Sequence, residues 1–324
     1  MARVITDQQT DSIDDTTIVV KIPAVKMDNE TMPQEQKNKP TLKQPIKIFA
    51  IDHRGSLKKV LNENLLSDFK ALTTETFAPY NSAVLVDPEY GSNTIEIAKE
   101  KKLELLLTRE KTGYSDTENG RELELYQKYT SQKLKSLGAN AIKILYYYNS
   151  QAPNKNEQLQ LLRKVKQETD DVTLPLLVEP ITYPLPNTPF NKGEETIKAI
   201  KEIQPLCDIL KLEFPTNKNF HQLFEDMPNN LDEQINAGLN EAIEYLEQFS
   251  TLITKPWVLL SRGMPFDIYV EALALSKKYG ASGYAVGRAV WQEIADMNSD
   301  WNQIETFVKT TAKERMQEIS AIFG

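Results

Sequence analysis

Two lysines stand inside runs of otherwise apolar residues. Lys211 lies in Cys207-Asp208-Ile209-Leu210-Lys211-Leu212-Glu213-Phe214-Pro215, and Lys143 in Ala141-Ile142-Lys143-Ile144-Leu145-Tyr146. Each run reads as a buried β-strand, where a lysine is rare unless it is paired or used. An ammonium in apolar surroundings has its pKa pushed down, which yields the free amine that attacks a carbonyl. The plainer reading is a strand-end lysine whose head snorkels to solvent. Between the two runs, Leu174–Glu179 ends in a carboxylate. If both lysines point into one site, repulsion and desolvation lower the pKa of at least one of them. One is then a nucleophilic amine, while the other lysine and Glu179 move protons or polarise a carbonyl. The alternative is a structural ion pair between either lysine and Glu179.

A second constellation is cationic. Ser261-Arg262-Gly263 and Gly287-Arg288 each follow an apolar run and place an arginine beside a glycine turn. Glycine lets backbone N–H groups approach an anion closely, and two guanidiniums suit a doubly charged oxyanion or a sulfonate. Turn glycines with no ligand are the bland alternative. An amine, carboxylates and a phosphate cradle together suit aldol chemistry on a phosphorylated keto sugar. The carbonyl condenses with the amine, the protonated Schiff base takes up electrons, and an acid/base group takes the C4 hydroxyl proton as the C3–C4 bond breaks.

The elements that must position these groups alternate regularly from Ile46 onward. Candidate strands are Ile46–Asp52, Ala83–Asp87, Leu103–Thr108, Ala141–Tyr146, Leu174–Glu179, Ile209–Glu213, Trp257–Ser261 and Gly283–Val286. Between them lie helical periodicities over Glu118–Leu137 (Leu123, Tyr126, Thr130 and Leu134 on one face), Leu231–Phe249 and Phe266–Tyr279, with Trp301–Ile322 closing the chain. Eight βα units in about 280 residues predict an α/β fold of the TIM (β/α)8 barrel type over residues 46–324. An open doubly wound sheet is disfavoured, since no G-x-G-x-x-G turn follows the first strand. In a barrel the polar residues at C-terminal strand ends are the informative ones. They include Asp52-His53-Arg54-Gly55, Asp87-Pro88-Glu89-Tyr90-Gly91 and Arg109-Glu110-Lys111-Thr112-Gly113-Tyr114. Residues 1–45, rich in Thr, Asp, Gln, Lys and Pro, read as a flexible extension with one β-like patch, Thr17–Ile22, that could add a strand or cover a barrel end.

Composition narrows the partners. The 324 residues carry a net charge of -8, which argues against nucleic acid or an anionic membrane as the main partner. No apolar run approaches the roughly 18–20 residues of a membrane span, and the N-terminus lacks a secretory core. The single cysteine, Cys207, fits a reducing cytoplasm and reads as a small buried hydrophobe. With two histidines, His53 and His221, a zinc site is hard to assemble, so no metal and no cofactor are expected. The expected partner is a small sugar phosphate.

These stretches, in order and at barrel spacing, resemble the class I tagatose 1,6-bisphosphate aldolase family from about Ile46 to about Trp291. The likeness rests on Asp52-His53-Arg54-Gly55, Leu85–Gly91, Glu110–Tyr114, Gly138–Lys143, Asp208–Pro215 and Gly287-Arg288-Ala289-Val290-Trp291. The resemblance implies a metal-independent aldolase in which Lys211 forms the Schiff base and Glu179 is the principal acid/base residue. It also implies that Lys143 and Asp52 contact substrate, and that Ser261, Gly287 and Arg288 hold a phosphate. Arg262, Gly263, Arg54 and Lys111 complete the expected binding set. The implied products are dihydroxyacetone phosphate and glyceraldehyde 3-phosphate, and the implied assembly is a homo-oligomer.

The chain departs from the family pattern at three places. His53 stands where glutamine is usual, Arg262 where a small residue is usual, and Pro180-Ile181-Thr182-Tyr183-Pro184-Leu185-Pro186 is rich in proline. Related members cleave sulfofructose phosphate or deoxy-sugar acid phosphates, and an added arginine suits a sulfonate or carboxylate. Transaldolase-type transfer through the same imine, and a non-catalytic sugar-phosphate sensor, are the competing readings. The intact Lys211, Lys143 and Glu179 set counts against a sensor.

Overall fold

The computed structural model describes residues 39–324, so the Thr17–Ile22 patch and most of the expected extension lie outside the described residues. Ten strands occur there: β1 (Ile46–Ala50), β2 (Ala83–Val86), β3 (Glu104–Thr108), β4 (Ser115–Thr117), β5 (Gly120–Glu122), β6 (Ala141–Tyr148), β7 (Leu176–Thr182), β8 (Ile209–Leu212), β9 (Trp257–Leu260) and β10 (Gly283–Val286). Eight of them close into a parallel barrel in the order β1-β10-β9-β8-β7-β6-β3-β2. Helices cover its outside, as a sheet buried on both faces requires.

The strict alternation of strand side chains sorts the core into two layers. Ile46, Ile48 and Ala50 of β1 point inward with Leu85, Leu106, Leu177, Ile209, Val258 and Ala285. Leu42 joins this interior cluster, so the residues just before β1 contribute to the barrel filling. Phe49, Val84, Leu107, Ile142, Val178 and Leu210 point outward against the helices. One such helix, Leu231–Leu252, buries Ile235, Leu239, Ala242, Leu246 and Phe249, a stripe at helical spacing.

Two expectations require correction. The Glu118–Leu137 periodicity does not make a helix. Residues 115–122 form the β4–β5 hairpin, residues 109–111 pair with 124–126 beneath it, and only Ser131–Ser136 is helical. Asn119-Gly120 is a hairpin-turn signal, and Gly120 adopts φ +120°, where an added Cβ would meet the Tyr183 hydroxyl at 2.6 Å. Leu123, Tyr126 and Leu134 are buried, but along an irregular path that only imitates a helical stripe. Second, the strand expected to end at Glu179 runs on through Pro180 to Thr182. The missing N–H of Pro180 faces the β8 side, where the ladder has already ended at Val178↔Leu210, so no hydrogen bond is lost.

Candidate active site

The inward alternation that fills the barrel with Leu177, Ile209 and Ala141 continues upward to Glu179, Lys211 and Lys143. All three are therefore forced into the C-terminal mouth. Lys143 Nζ lies 2.8 Å from Asp52 Oδ2, 2.8 Å from Glu110 Oε1 and 2.9 Å from Glu179 Oε2. Lys211 Nζ meets one carboxylate, again Glu179 Oε2, at 2.9 Å. Lys143, Glu110, Glu179 and Lys211 are all buried.

The electrostatics show that Lys143 is not a lysine whose pKa is lowered. Burial does push it down, but Asp52, Glu110 and Glu179 outweigh burial and raise it well above the usual lysine value. Lys143 is a fixed ammonium. Burial would raise the carboxyl of Glu179, yet Lys143 and Lys211 hold it below its usual value. Asp52 is likewise held far down against burial by Lys143 and Lys211. The centre of the mouth therefore carries three carboxylates and two lysines.

Glu110 is the residue that sequence reasoning missed. It follows β3 within a run of charged residues, where nothing marks which side chain turns inward. Arg54 explains part of its placement: its Nη1 donates to the Glu110 carbonyl at 3.0 Å and to the Tyr126 hydroxyl at 2.7 Å. Arg54 is thus built into the wall behind Glu110. Lys111 pairs with Glu124 at the rim. The loop after β1 is fixed by a buried pair, Lys70 with Asp87, whose lysine also donates to the His53 carbonyl at 2.9 Å. His53 stands edge-on to Trp291 with ring centroids 5.1 Å apart, and burial, opposed by Asp52 but aided by Arg288 and Lys211, pushes it down to about 3.

Ser261, Gly263, Gly287 and Arg288 come together at the ends of β9 and β10. The Gly287 N–H donates to Ser261 Oγ at 3.4 Å. Gly263 has φ +79°, and a Cβ there would stand 3.3 Å from the Arg288 guanidinium carbon, so only glycine leaves that guanidinium its place. Arg288 forms no salt bridge among the described residues, and its buried Nε has no partner. Arg262, expected to bind anions as well, instead pairs with buried Glu213, which also meets Lys192 Nζ at 3.1 Å. Cys207 is buried and its thiol is pushed up to about 12, in keeping with a packing role.

Every expected site residue except Gly263 lines one cleft of about 620 Å³, together with Glu110, Tyr114, Arg121 and Tyr147. Among the described residues, no group of three or more His, Cys, Asp or Glu side chains is arranged to hold a metal ion, and no helix is long and apolar enough to cross a membrane.

A closed (β/α)8 barrel with ionisable groups gathered at the C-terminal strand ends is the layout of a TIM-barrel enzyme. Residues 46–293 match the DeoC/LacD family of aldolases, and the chain belongs to that family. It is 31% identical over 302 residues to tagatose 1,6-diphosphate aldolase 2 of Enterococcus faecalis, covering 86% of this chain and 89% of that protein. The tagatose 1,6-diphosphate aldolase of Listeria monocytogenes is 29% identical over 301 residues, covering 86% and 87%. Among solved structures, fructose-bisphosphate aldolase from Plasmodium falciparum superposes with a TM-score of 0.60 at 13% identity, covering 87% of this chain and 91% of that one. A Schiff-base-forming fructose-1,6-bisphosphate aldolase does so at 0.52 and 17%, covering 83% and 94%. At those identities the likeness to the solved structures is one of fold.

Proposed function

We propose that this aldolase works through a lysine imine and reversibly cleaves a ketohexose bisphosphate such as tagatose 1,6-bisphosphate. The asymmetry between the two lysines carries the reading. Lys143 is held as an ammonium by three carboxylates, whereas Lys211 faces one carboxylate, Glu179, and can be released to attack. The substrate class is supported by the names of the relatives, both tagatose 1,6-diphosphate aldolases.

The Lys211 amine adds to the C2 carbonyl, and loss of water gives a protonated imine. Glu179, an ionised base beside it, accepts the C4 hydroxyl proton as the C3–C4 bond breaks. The bond's electron pair flows into the iminium as an enamine, and glyceraldehyde 3-phosphate departs. Glu179 returns its proton to C3, and water hydrolyses the imine to release dihydroxyacetone phosphate and the amine. Lys143 and Asp52 orient the hydroxyls and offset charge near the reacting carbons. Ser261, Gly287 and Arg288 hold the C1 phosphate, with Arg288 supplying the unpaired cation.

Borohydride reduction in the presence of dihydroxyacetone phosphate tests this. Peptide mass mapping is expected to locate a reduced three-carbon adduct on Lys211, absent from Lys211→Met. No adduct, or an adduct on Lys143, would overturn it. Product analysis with an added acceptor aldehyde separates cleavage from transaldolase-type transfer.

A further inference from the structure

The geometry points to a distal-phosphate subsite on the arm that follows β3, with Arg121 of β5 as its anion-binding group. This rests on the reading of the substrate as a bisphosphate and names where its second phosphate goes.

Barrel order supplies the first observation. Around β1-β10-β9-β8-β7-β6-β3-β2, the cradle at the ends of β9 and β10 is diametrically opposite the gap between β6 and β3. Lys211 on β8, Glu179 on β7 and Lys143 on β6 lie along the arc between these points. A sugar held by one phosphate at Arg288, with its carbonyl at Lys211, therefore directs its far end towards β6 and β3. Charge supplies the second. The middle of the cleft carries three carboxylates against two lysines, a balance that disfavours a dianion there and favours holding both phosphates at its ends. The far wall is formed by Lys111, Thr112, Gly113, Tyr114, Arg121 and Tyr147.

Arg121 is prepared for such a role. Its guanidinium carbon lies 4.1 Å from the Tyr114 ring centroid, 4.7 Å from that of Tyr183 and 5.6 Å from that of Tyr147. Its backbone N–H donates to the Tyr183 hydroxyl at 3.0 Å, and its carbonyl accepts from Asn154 Nδ2 at 3.2 Å. Nε meets the exposed Asp116 at 3.3 Å, while Nη1 and Nη2 make no hydrogen bond to protein among the described residues. The two free Nη groups on a stacked, oriented guanidinium can meet a phosphate with little further loss of side-chain entropy. The hairpin that a helical periodicity concealed thus has a use: it carries this cation across the mouth.

Steady-state cleavage of tagatose 1,6-bisphosphate and tagatose 1-phosphate by wild type, Arg121→Met and Arg121→Lys tests the subsite. In Arg121→Met, the preference for the bisphosphate over the 1-phosphate, as a ratio of kcat/KM values, is expected to fall about tenfold or more, mainly through KM. Arg121→Lys should fall between the two. Dihydroxyacetone phosphate has no distal phosphate, so it should still label Lys211 at wild-type concentrations, which also shows that the variant is folded. An unchanged preference ratio, or equal losses on both sugars with labelling impaired, would overturn the subsite. Absence of labelling in wild type would instead overturn the imine reading, so the two failures are distinguishable.

Discussion

Glu179 meets Lys211 through Oε2 at 2.9 Å, and the same oxygen is 2.9 Å from Lys143. On the proposed imine chemistry, a proton leaving Lys211 arrives on a carboxylate already tied to the Lys143 ammonium. That tie keeps Glu179 ionised, and so keeps it a base.

Its pH dependence follows from that state. The carboxyl lies below its ordinary value of 4.5, burial being outweighed by the two lysines, so the base form persists as pH falls through the usual carboxylate range. The acid limb of the kcat/KM profile for cleavage is expected below 4.5. Glu179→Gln should lower kcat by about 10²- to 10⁴-fold, the usual reach of general acid–base catalysis. An acid limb near neutrality would assign the base to another group. His53 is a poor candidate for that group, because it is neutral above about 3.

The two lysines should separate in stability as well as in chemistry. Lys143→Met removes the one cation shared by Asp52, Glu110 and Glu179, leaving Lys211 beside Glu179 and Arg54 near Glu110, and loss of one partner from a buried ion cluster typically costs about 3–5 kcal/mol. Lys211→Met orphans no such cluster and should cost less, as urea unfolding would measure. Linkage gives a second check. Lys143 has a raised folded pKa, so its contribution is full below an unfolded value of about 10.4 and is lost as pH rises through the folded one. Asp52 and Glu179 are depressed, so theirs is full above about 4.3 and is lost as pH falls through their folded values. The gap between wild type and Lys143→Met should therefore narrow in acid.

The barrel and most of this machinery were legible in the sequence because the signals were local. Eight apolar runs at βα spacing, with lysines at inward positions of two of them, place Lys143 and Lys211 in one mouth. Glu110 was not legible, since Arg109-Glu110-Lys111 offers no periodicity to say which charge turns in. The protonation state of Lys143 was not legible either, because it depends on carboxylates from three separate strand ends. The β4–β5 hairpin was hidden by an apolar spacing that mimics a helix, although Asn119-Gly120 was available as a turn signal.

Arg262 and Arg288 look equivalent in sequence but differ in what they touch. Arg262 is neutralised by Glu213, while Arg288 has no carboxylate partner among the described residues. Inorganic phosphate as a competitive inhibitor should distinguish them. Arg288→Met is expected to raise its inhibition constant about tenfold or more, the scale of a lost charge-assisted hydrogen bond. Arg262→Gly should move that constant little. It should instead act on stability, with the gain from relieving φ +44° set against the loss of a counter-ion for buried Glu213. A larger loss of phosphate affinity in Arg262→Gly would mean that Arg262 leaves Glu213 for the ligand.

Leu42 provides a test of where the folded unit begins. It precedes β1, is 3% exposed, and packs with Ile46, Ile48 and Ala50 in the barrel interior. Its neighbour Lys39 bonds Asp208 Oδ2 at 3.0 Å, and that oxygen also accepts the N–H of Leu176 at 2.8 Å. Residues 39–45 are thus tied to β7, and through Asp208 to the residue just before β8, the two strands that carry Glu179 and Lys211. Leu42→Ala is expected to cost about 2–5 kcal/mol, the range for removing a buried leucine side chain. Imine trapping should persist under native conditions, because Leu42 does not line the cleft. A stability loss within about 0.5 kcal/mol, the range of ordinary surface substitutions, would mean that the barrel is complete without this segment.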